Sequence, residues 1–183
     1  MAGSGGFVLV VGPSGAGKDT LIDLAKAAFE DEARVVFPRR LVTREVSAFE
    51  DHDTLDETAL EAGVAAGEYA LAWRAHGLGY AIPGETIALA RSGMVVVVNI
   101  SRKLVEEARS RLPGVAVVEI TASRETLARR LAARSRGEDG DLEKRLARSA
   151  EIEPVRADLA IYNETTPEAA AAVLIAFLSS RIG

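Results

Sequence analysis

The 183-residue chain contains no cysteine, so a disulfide framework, a thiolate metal site and a cysteine nucleophile are all excluded. No apolar run approaches the roughly 20 residues that span a bilayer, and the opening MAGSGG lacks the basic and apolar regions of a secretory leader. An excess of positive charge is missing too. The 22 Lys and Arg face 27 Asp and Glu, a formal charge of −5, which argues against general binding of nucleic acid or adhesion to an anionic membrane. Any basic site is therefore local. Aromatic residues are scarce at 5%, with one Trp, and no internal repeat, coiled coil or low-complexity block is present. What is there is 48% hydrophobic, which suits one domain with a sizeable core. The expected location is cytoplasmic.

Short β-rich runs alternate with longer helical patterns. FVLVV at 7–11, RVVF at 34–37, MVVVVN at 94–99, VAVVEIT at 115–121 and DLAIYN at 158–163 are the continuous apolar runs of strands covered on both faces in a parallel sheet. Helical spacing predicts helices near 18–30, 84–92, 102–111, 123–135, 141–152 and 167–181. For the last, Thr166, Pro167 and Glu168 supply an N-cap, a first-turn proline and a first-turn acid. This order implies an α/β fold, a central parallel sheet flanked by helices. Residues 40–82 interrupt the alternation with a charged loop, a short helix near 56–66 and strands around 69–73 and 79–82, an insertion suited to a substrate.

The strongest chemical signal is GPSGAGKDT at 12–20, which follows FVLVV directly and opens a helix. Gly12, Pro13, Ser14, Gly15, Ala16, Gly17 and Lys18 form the frame of a phosphate-binding loop. In such a loop backbone N–H groups converge on phosphate oxygens, the helix N-terminus adds partial positive charge, and the lysine reaches the β- and γ-phosphates. A Gly-rich turn without ligand is the bland alternative, and the flanking strand and helix count against it. The frame normally closes with Ser or Thr, whose hydroxyl meets Mg²⁺; here Asp19 stands there, followed by Thr20. Successive helical residues point about 100° apart, so Thr20 cannot take over the direction of residue 19. Asp19 either holds Mg²⁺, directly or through water, or serves as a first-turn acid favouring the helix dipole.

Residues 129–149 read RRLAARSRGEDGDLEKRLARS, a helix, a polar turn with two glycines and a second helix. Arg134, Arg136, Arg145 and Arg148 flank the turn and could close as a lid over a transferring phosphoryl group, with Gly137 and Gly140 as hinge. Ordinary surface ion pairing to Glu138, Asp139, Asp141 and Glu143 is the competing explanation, and is the one expected for Arg129, Arg130 and Lys144.

GPSGAGK, Thr43-Arg44, WRAHGLGY at 73–80 and the arginine-rich lid pattern together resemble the guanylate kinase group of P-loop nucleoside monophosphate kinases. With Asp19 included, LAWRAHGLGYAIP, VNISR at 98–102, RLAARSRG and RLARS resemble more closely the ribose 1,5-bisphosphate phosphokinase family of phosphonate metabolism, over nearly the whole chain. The resemblance implies one P-loop kinase domain over 1–183, with a substrate-binding insertion at about 40–82 and a lid at about 134–145. It implies transfer of the γ-phosphoryl of ATP, with Mg²⁺, to ribose 1,5-bisphosphate, giving 5-phosphoribosyl 1-diphosphate. Lys18, Arg134 and Arg145 would be catalytic, while the loop, Asp19, Thr20, Arg136 and Arg148 would hold nucleotide, with Asp19 at the metal.

Against the guanylate kinases, Leu71 replaces a guanine-binding Glu and Asn99 a second acid, and both are expected among the substrate contacts. Arg40, Arg44 and Tyr80 echo the groups that hold the acceptor's phosphate, and His76 is either a substrate contact or a turn residue. Trp73 is expected in the core beside the cleft, and neither His52 nor His76 is needed for catalysis. The partner expected is a small sugar phosphate, without nucleic acid or membrane; a homodimer is left open. A nucleoside monophosphate kinase with a different base site, or a non-catalytic interaction module, remains as an alternative.

Overall fold

A computed structural model describes residues 5–44, 52–75, 77–134 and 155–182, with backbone alone at His52 and Arg134. β1 (Gly6–Val11) is buried at every residue, as its unbroken apolar run requires. It lies at the centre of a five-stranded parallel sheet with β2 (Val35–Val36), β7 (Val95–Asn99), β8 (Ala116–Thr121) and β9 (Leu159–Tyr162), in the order β2-β7-β1-β8-β9. From β1 the chain moves outward to β2, returns to β7, and later continues on the other side through β8 and β9. This reversal puts a topological switch point at the C-terminal end of β1, where open α/β sheets bind ligands.

Period-two alternation on β1 divides the core. Val8 and Val10 face one layer, with Leu21 and Ala25 of α1 (Lys18–Ala28) and Leu174 and Leu178 of the C-terminal helix Pro167–Ile182. Phe7, Leu9 and Val11 face the other, with Val96, Val98, Val105 and Ala108, the last two on a helix over Val105–Arg111. Each fully buried Val, Leu or Phe contributes roughly 1.5–3 kcal/mol relative to exposure, so this two-sided layer holds the sheet in place.

The insertion forms a second sheet. β3 (Arg40–Val42), β4 (His52–Thr54), β5 (Tyr69–Ala75) and β6 (Leu78–Pro83) lie in the order β4-β3-β6-β5, antiparallel except for β3 beside β4. α2 (Glu57–Ala66) covers it, begun by Asp56, whose Oδ1 accepts from the Ala59 amide at 2.7 Å. The sheet joins the body through Ala70, Leu71 and Ile82, which are buried in the same layer as Phe7 and Leu9.

The predicted strands and helices recur with shifts of one or two residues, and three differences have physical causes. β3 and β4 were expected as charged loop; each is only three residues long, too short to show a period, and is fixed by pairing. The helix expected from 102 begins as a 3-10 turn over Arg102–Leu104, and α4 proper covers Val105–Arg111. β2 is two residues rather than four because only Val35 and Val36 pair, both with β7. The remaining helices are α3 (Glu85–Arg91), α5 (Arg124–Arg134) and α6 (Pro167–Ile182). Thr166 caps α6 as its position predicted, Oγ1 accepting from the Ala169 amide at 3.3 Å. The helix expected at 141–152 lies outside the described residues.

Candidate active site

Residues 12–17 connect β1 to α1 in a conformation that glycine makes possible. At Gly12, with φ 146°, an added Cβ would stand 1.9 Å from the Ile120 carbonyl oxygen; at Gly17, with φ 90°, it would stand 2.5 Å from Asn163 Nδ2. The backbone is thus packed tightly against β8 and the end of β9, leaving the loop's inner face to main-chain groups. Lys18 opens α1 and curls over the loop, its Nζ donating to the carbonyls of Gly12 at 2.9 Å and Pro13 at 3.0 Å. A cationic amine at the lip of a glycine loop, beside a helix N-terminus, makes an anion-binding concavity. Ser14 is half-buried in the loop, while Thr20 is exposed on α1.

Asp19 is exposed on the first turn of α1, and its Oδ1 accepts from Asn99 Nδ2 at 2.8 Å. Asn99 is the last residue of β7, in register with Val10 near the end of β1. The sequence placed Asp19 at the metal and Asn99 at the substrate; the fold joins them as one unit. Among the described residues, no group of three or more His, Cys, Asp or Glu side chains is arranged to hold a metal ion.

From this pair a cleft runs toward the second sheet, lined by Asp19, Asp23 and Lys26 of α1, Asn99, Phe37, and Arg40 at the start of β3. The Arg40 guanidinium lies 5.9 Å from the centre of the Tyr80 ring, and that ring stacks on Trp73 at 5.2 Å with 10° between planes. Both distances suit attraction: cation over π-face, and ring beside ring. Trp73 is half-buried against the core, as expected of it. Arg44 follows β3, half-buried, its carbonyl accepting from Thr54 Oγ1 at 3.1 Å. Thr43 is structural: its Oγ1 accepts from the Gly79 amide at 2.8 Å, and hydrogen bonds from Thr43 and then Arg74 hold the Glu57 carboxyl below its ordinary range.

Leu71 departs from its expected place among substrate contacts. It is 1% exposed and packs with Phe7, Ile82 and Val96, because it lies on the inward face of β5 where the second sheet meets the first. The side chain of Arg134, at the end of α5, and the whole of His76, Arg136, Arg145 and Arg148 lie outside the described residues.

Three residues were missed. Asn163, 2% exposed, donates from Nδ2 to the Ala16 carbonyl at 2.9 Å and so ties the end of β9 to the loop. Arg130, expected at the surface, is half-buried and donates to the Asn163 carbonyl at 2.8 Å. Glu164 receives the Ser123 amide and, at 2.9 Å, Thr126 Oγ1; these bonds, with Arg130 nearby, hold its carboxyl below the ordinary range. The only hint in the sequence was the polar pair Asn163-Glu164 closing an apolar strand. A fourth feature is the Arg102–Glu119 pair at 3.9 Å. Arg102 is 10% exposed, and burial pushes its guanidinium pKa down while Glu119 opposes that shift. Glu119 lies in register with Val11, immediately before the loop.

The chain is 56% identical to ribose 1,5-bisphosphate phosphokinase PhnN of Methylobacterium radiotolerans over 95% of this chain and 97% of that protein. It is 50% identical to the protein of the same name from Bradyrhizobium diazoefficiens, over 88% of this chain and 81% of that one. No family model matches it. Among solved structures it is similar to guanylate kinase from Anaplasma phagocytophilum, with TM-score 0.72 and 20% identity over 100% of this chain and 89% of that one. A gluconokinase from Sinorhizobium meliloti superposes with TM-score 0.53 at 17% identity, over 100% and 95% of the two chains. At such identities the structural likeness shows the fold.

Proposed function

The chain belongs to the ribose 1,5-bisphosphate phosphokinase family, and we propose that it transfers the γ-phosphoryl group of ATP to ribose 1,5-bisphosphate, forming 5-phosphoribosyl 1-diphosphate and ADP in phosphonate catabolism. The observation that supports this reading is a cleft that opens at Asn99 and at Asp19, just after the glycine loop in sequence, and reaches Arg40, whose guanidinium lies 5.9 Å from the centre of the Tyr80 ring.

The chain's own groups divide the work. Loop amides and the start of α1 cradle the phosphates of ATP, and Lys18 Nζ exchanges its two carbonyl partners for β- and γ-phosphate oxygens. Asp19 offers carboxylate oxygen at the mouth of the loop, which suits Mg²⁺, a cation commonly held by one or two carboxylates together with substrate phosphates. When bound, Mg²⁺ offsets the negative charge of the β- and γ-phosphates. The acceptor is a phosphate already ionised at neutral pH, so no side chain has to remove a proton. The protein must align two anions and relieve their repulsion. Arg40, Arg44 and Tyr80 are proposed to hold the acceptor's other phosphate, and Arg134 and Arg145, with Arg136 and Arg148, to close over the transferring group.

A sugar bisphosphate needs no base pocket. Guanine would require hydrogen-bond acceptors, and Leu71, at the corresponding place, is apolar and sealed in the core. Each buried donor left without a partner costs about 1–3 kcal/mol. ADP release, measured at matched ATP and Mg²⁺ with ribose 1,5-bisphosphate, ribose 1-phosphate, ribose 5-phosphate, GMP and other nucleoside monophosphates, tests the reading. Ribose 1,5-bisphosphate should be the best acceptor; faster turnover of GMP would replace this proposal with a nucleotide kinase.

A further inference from the structure

Phosphate-loop NTPases bracket their metal with two protein positions: a Ser or Thr hydroxyl immediately after the loop lysine, and an Asp from the Walker B strand. One position is neutral and the other carries the charge. In this chain the residue after Lys18 is Asp19, and β7, which lies directly beside β1, ends on Asn99, in register with Val10. The two side chains meet, Asn99 Nδ2 donating to Asp19 Oδ1 at 2.8 Å. An ionised carboxylate only accepts hydrogen bonds, so the amide must present its nitrogen to Asp19. That bond occupies one lone pair of one carboxylate oxygen and leaves the other oxygen to face a ligand.

We propose that Asp19 and Asn99 are the usual hydroxyl and carboxylate positions with the charge exchanged between them, Asn99 being a positioning residue that orients the Asp19 carboxylate toward the metal. This inference rests on the kinase reading above. The total charge of the pair is unchanged, which explains how the loop tolerates a carboxylate near the β-phosphate: the strand has given up the acid that the loop has gained. If the strand position were also acidic, two carboxylates would lie within hydrogen-bond distance of each other and close to the bound phosphates, adding repulsion. Asp19 and Asn99 are therefore each intelligible only in the presence of the other.

The exchange predicts a reciprocal rescue. Mn²⁺ binding to the complex with the β,γ-imido analogue of ATP, followed by the electron paramagnetic resonance of the free and bound ion, would be measured for wild type, Asp19→Ser, Asn99→Asp, the double variant and Asn99→Ala. Thermal melting checks that each is folded. Asp19→Ser should weaken Mn²⁺ about tenfold or more, and Asn99→Ala about tenfold, the usual cost of losing a group that orients a ligand. Asn99→Asp should weaken binding of the analogue, because it adds a negative charge beside the phosphates. The double variant, which restores a hydroxyl on the loop and an acid on the strand, should return to within about threefold of wild type.

A folded double variant no better than Asp19→Ser would overturn the exchange, as would wild-type Mn²⁺ affinity in Asn99→Ala. If the double variant does not fold, Asn99→Ala, which introduces no charge, decides alone. Failure of wild type to bind the Mn²⁺–analogue complex would instead overturn the kinase reading and this inference with it.

Discussion

The glycine loop and the second sheet are built differently. At the loop the glycines are enforced by contact, with the Ile120 carbonyl against Gly12 and Asn163 against Gly17, which leaves main-chain groups to meet a phosphate. At the second sheet it is side chains that come together: Arg40 over Tyr80, and Tyr80 on Trp73. Main-chain amides recognise phosphate whatever carries it, and a guanylate kinase and a gluconokinase share this chain's fold at 20% and 17% identity. Side chains on an inserted sheet can change without disturbing the loop, so choice of acceptor is expected to reside there.

Substitution at each end should separate the two. The largest effect is expected at the loop. Lys18→Ala should lower kcat about 10³-fold with little change in melting temperature, if the half-buried amine meets charge that develops in the transition state as proposed; near-normal turnover in a folded variant would remove Lys18 from the mechanism. Leu71→Glu probes the junction of the two sheets. It puts a carboxylate where Phe7, Ile82 and Val96 pack, and should cost about 3–5 kcal/mol of stability without creating guanylate kinase activity. A stable variant that turns over GMP would show that the core position is in fact a base site.

For the proposed lid, Arg134→Ala and Arg145→Ala should each lower kcat about 10²-fold while leaving ATP affinity nearly unchanged. Normal kcat with weakened binding would make them ground-state phosphate contacts. At the proposed acceptor end, Tyr80→Ala removes the ring on which both Arg40 and Trp73 lie and should raise KM for ribose 1,5-bisphosphate about tenfold, with KM for ATP unaltered. Equal changes in both KM values would mean that the two ends are not independent.

The smallest effect concerns the brace behind the loop. The Glu164 carboxyl, held chiefly by the Ser123 amide, titrates below its ordinary value of 4.5 in the folded chain. Its contribution to stability is therefore present above that ordinary value and is lost as pH falls through the folded one. Glu164→Gln should lower the melting temperature slightly at pH 7, with the difference from wild type closing in acid. A difference that persists unchanged in acid would assign the effect to packing.

These contrasts also explain what the sequence revealed. The loop was legible because its chemistry is local: strand, glycines, lysine and helix follow one another within 23 residues, 6–28. The parallel strands were legible because burial on both faces leaves continuous apolar runs. β3 and β4 were not, since three-residue strands have no period of their own. The bond between Asp19 and Asn99 joins residues 80 positions apart, and that between Asn163 and Ala16 joins residues 147 apart. No local pattern announces such partners. Leu71 failed for a related reason: its position along β5 was readable by resemblance, but which residues would cover it depended on how the second sheet docks.

Phosphorus-31 NMR of the product is the most direct test of the central claim, that one anionic acceptor phosphate receives the γ-phosphoryl group without a base to recognise. With ATP, Mg²⁺ and ribose 1,5-bisphosphate, the signal of the sugar's 1-phosphate should be replaced by the coupled pair of a diphosphate, equal in amount to the ADP formed, while the 5-phosphate signal persists. GMP under the same conditions should yield little or no GDP. Rapid formation of GDP, with the ribose 1,5-bisphosphate signals unchanged, would contradict the account.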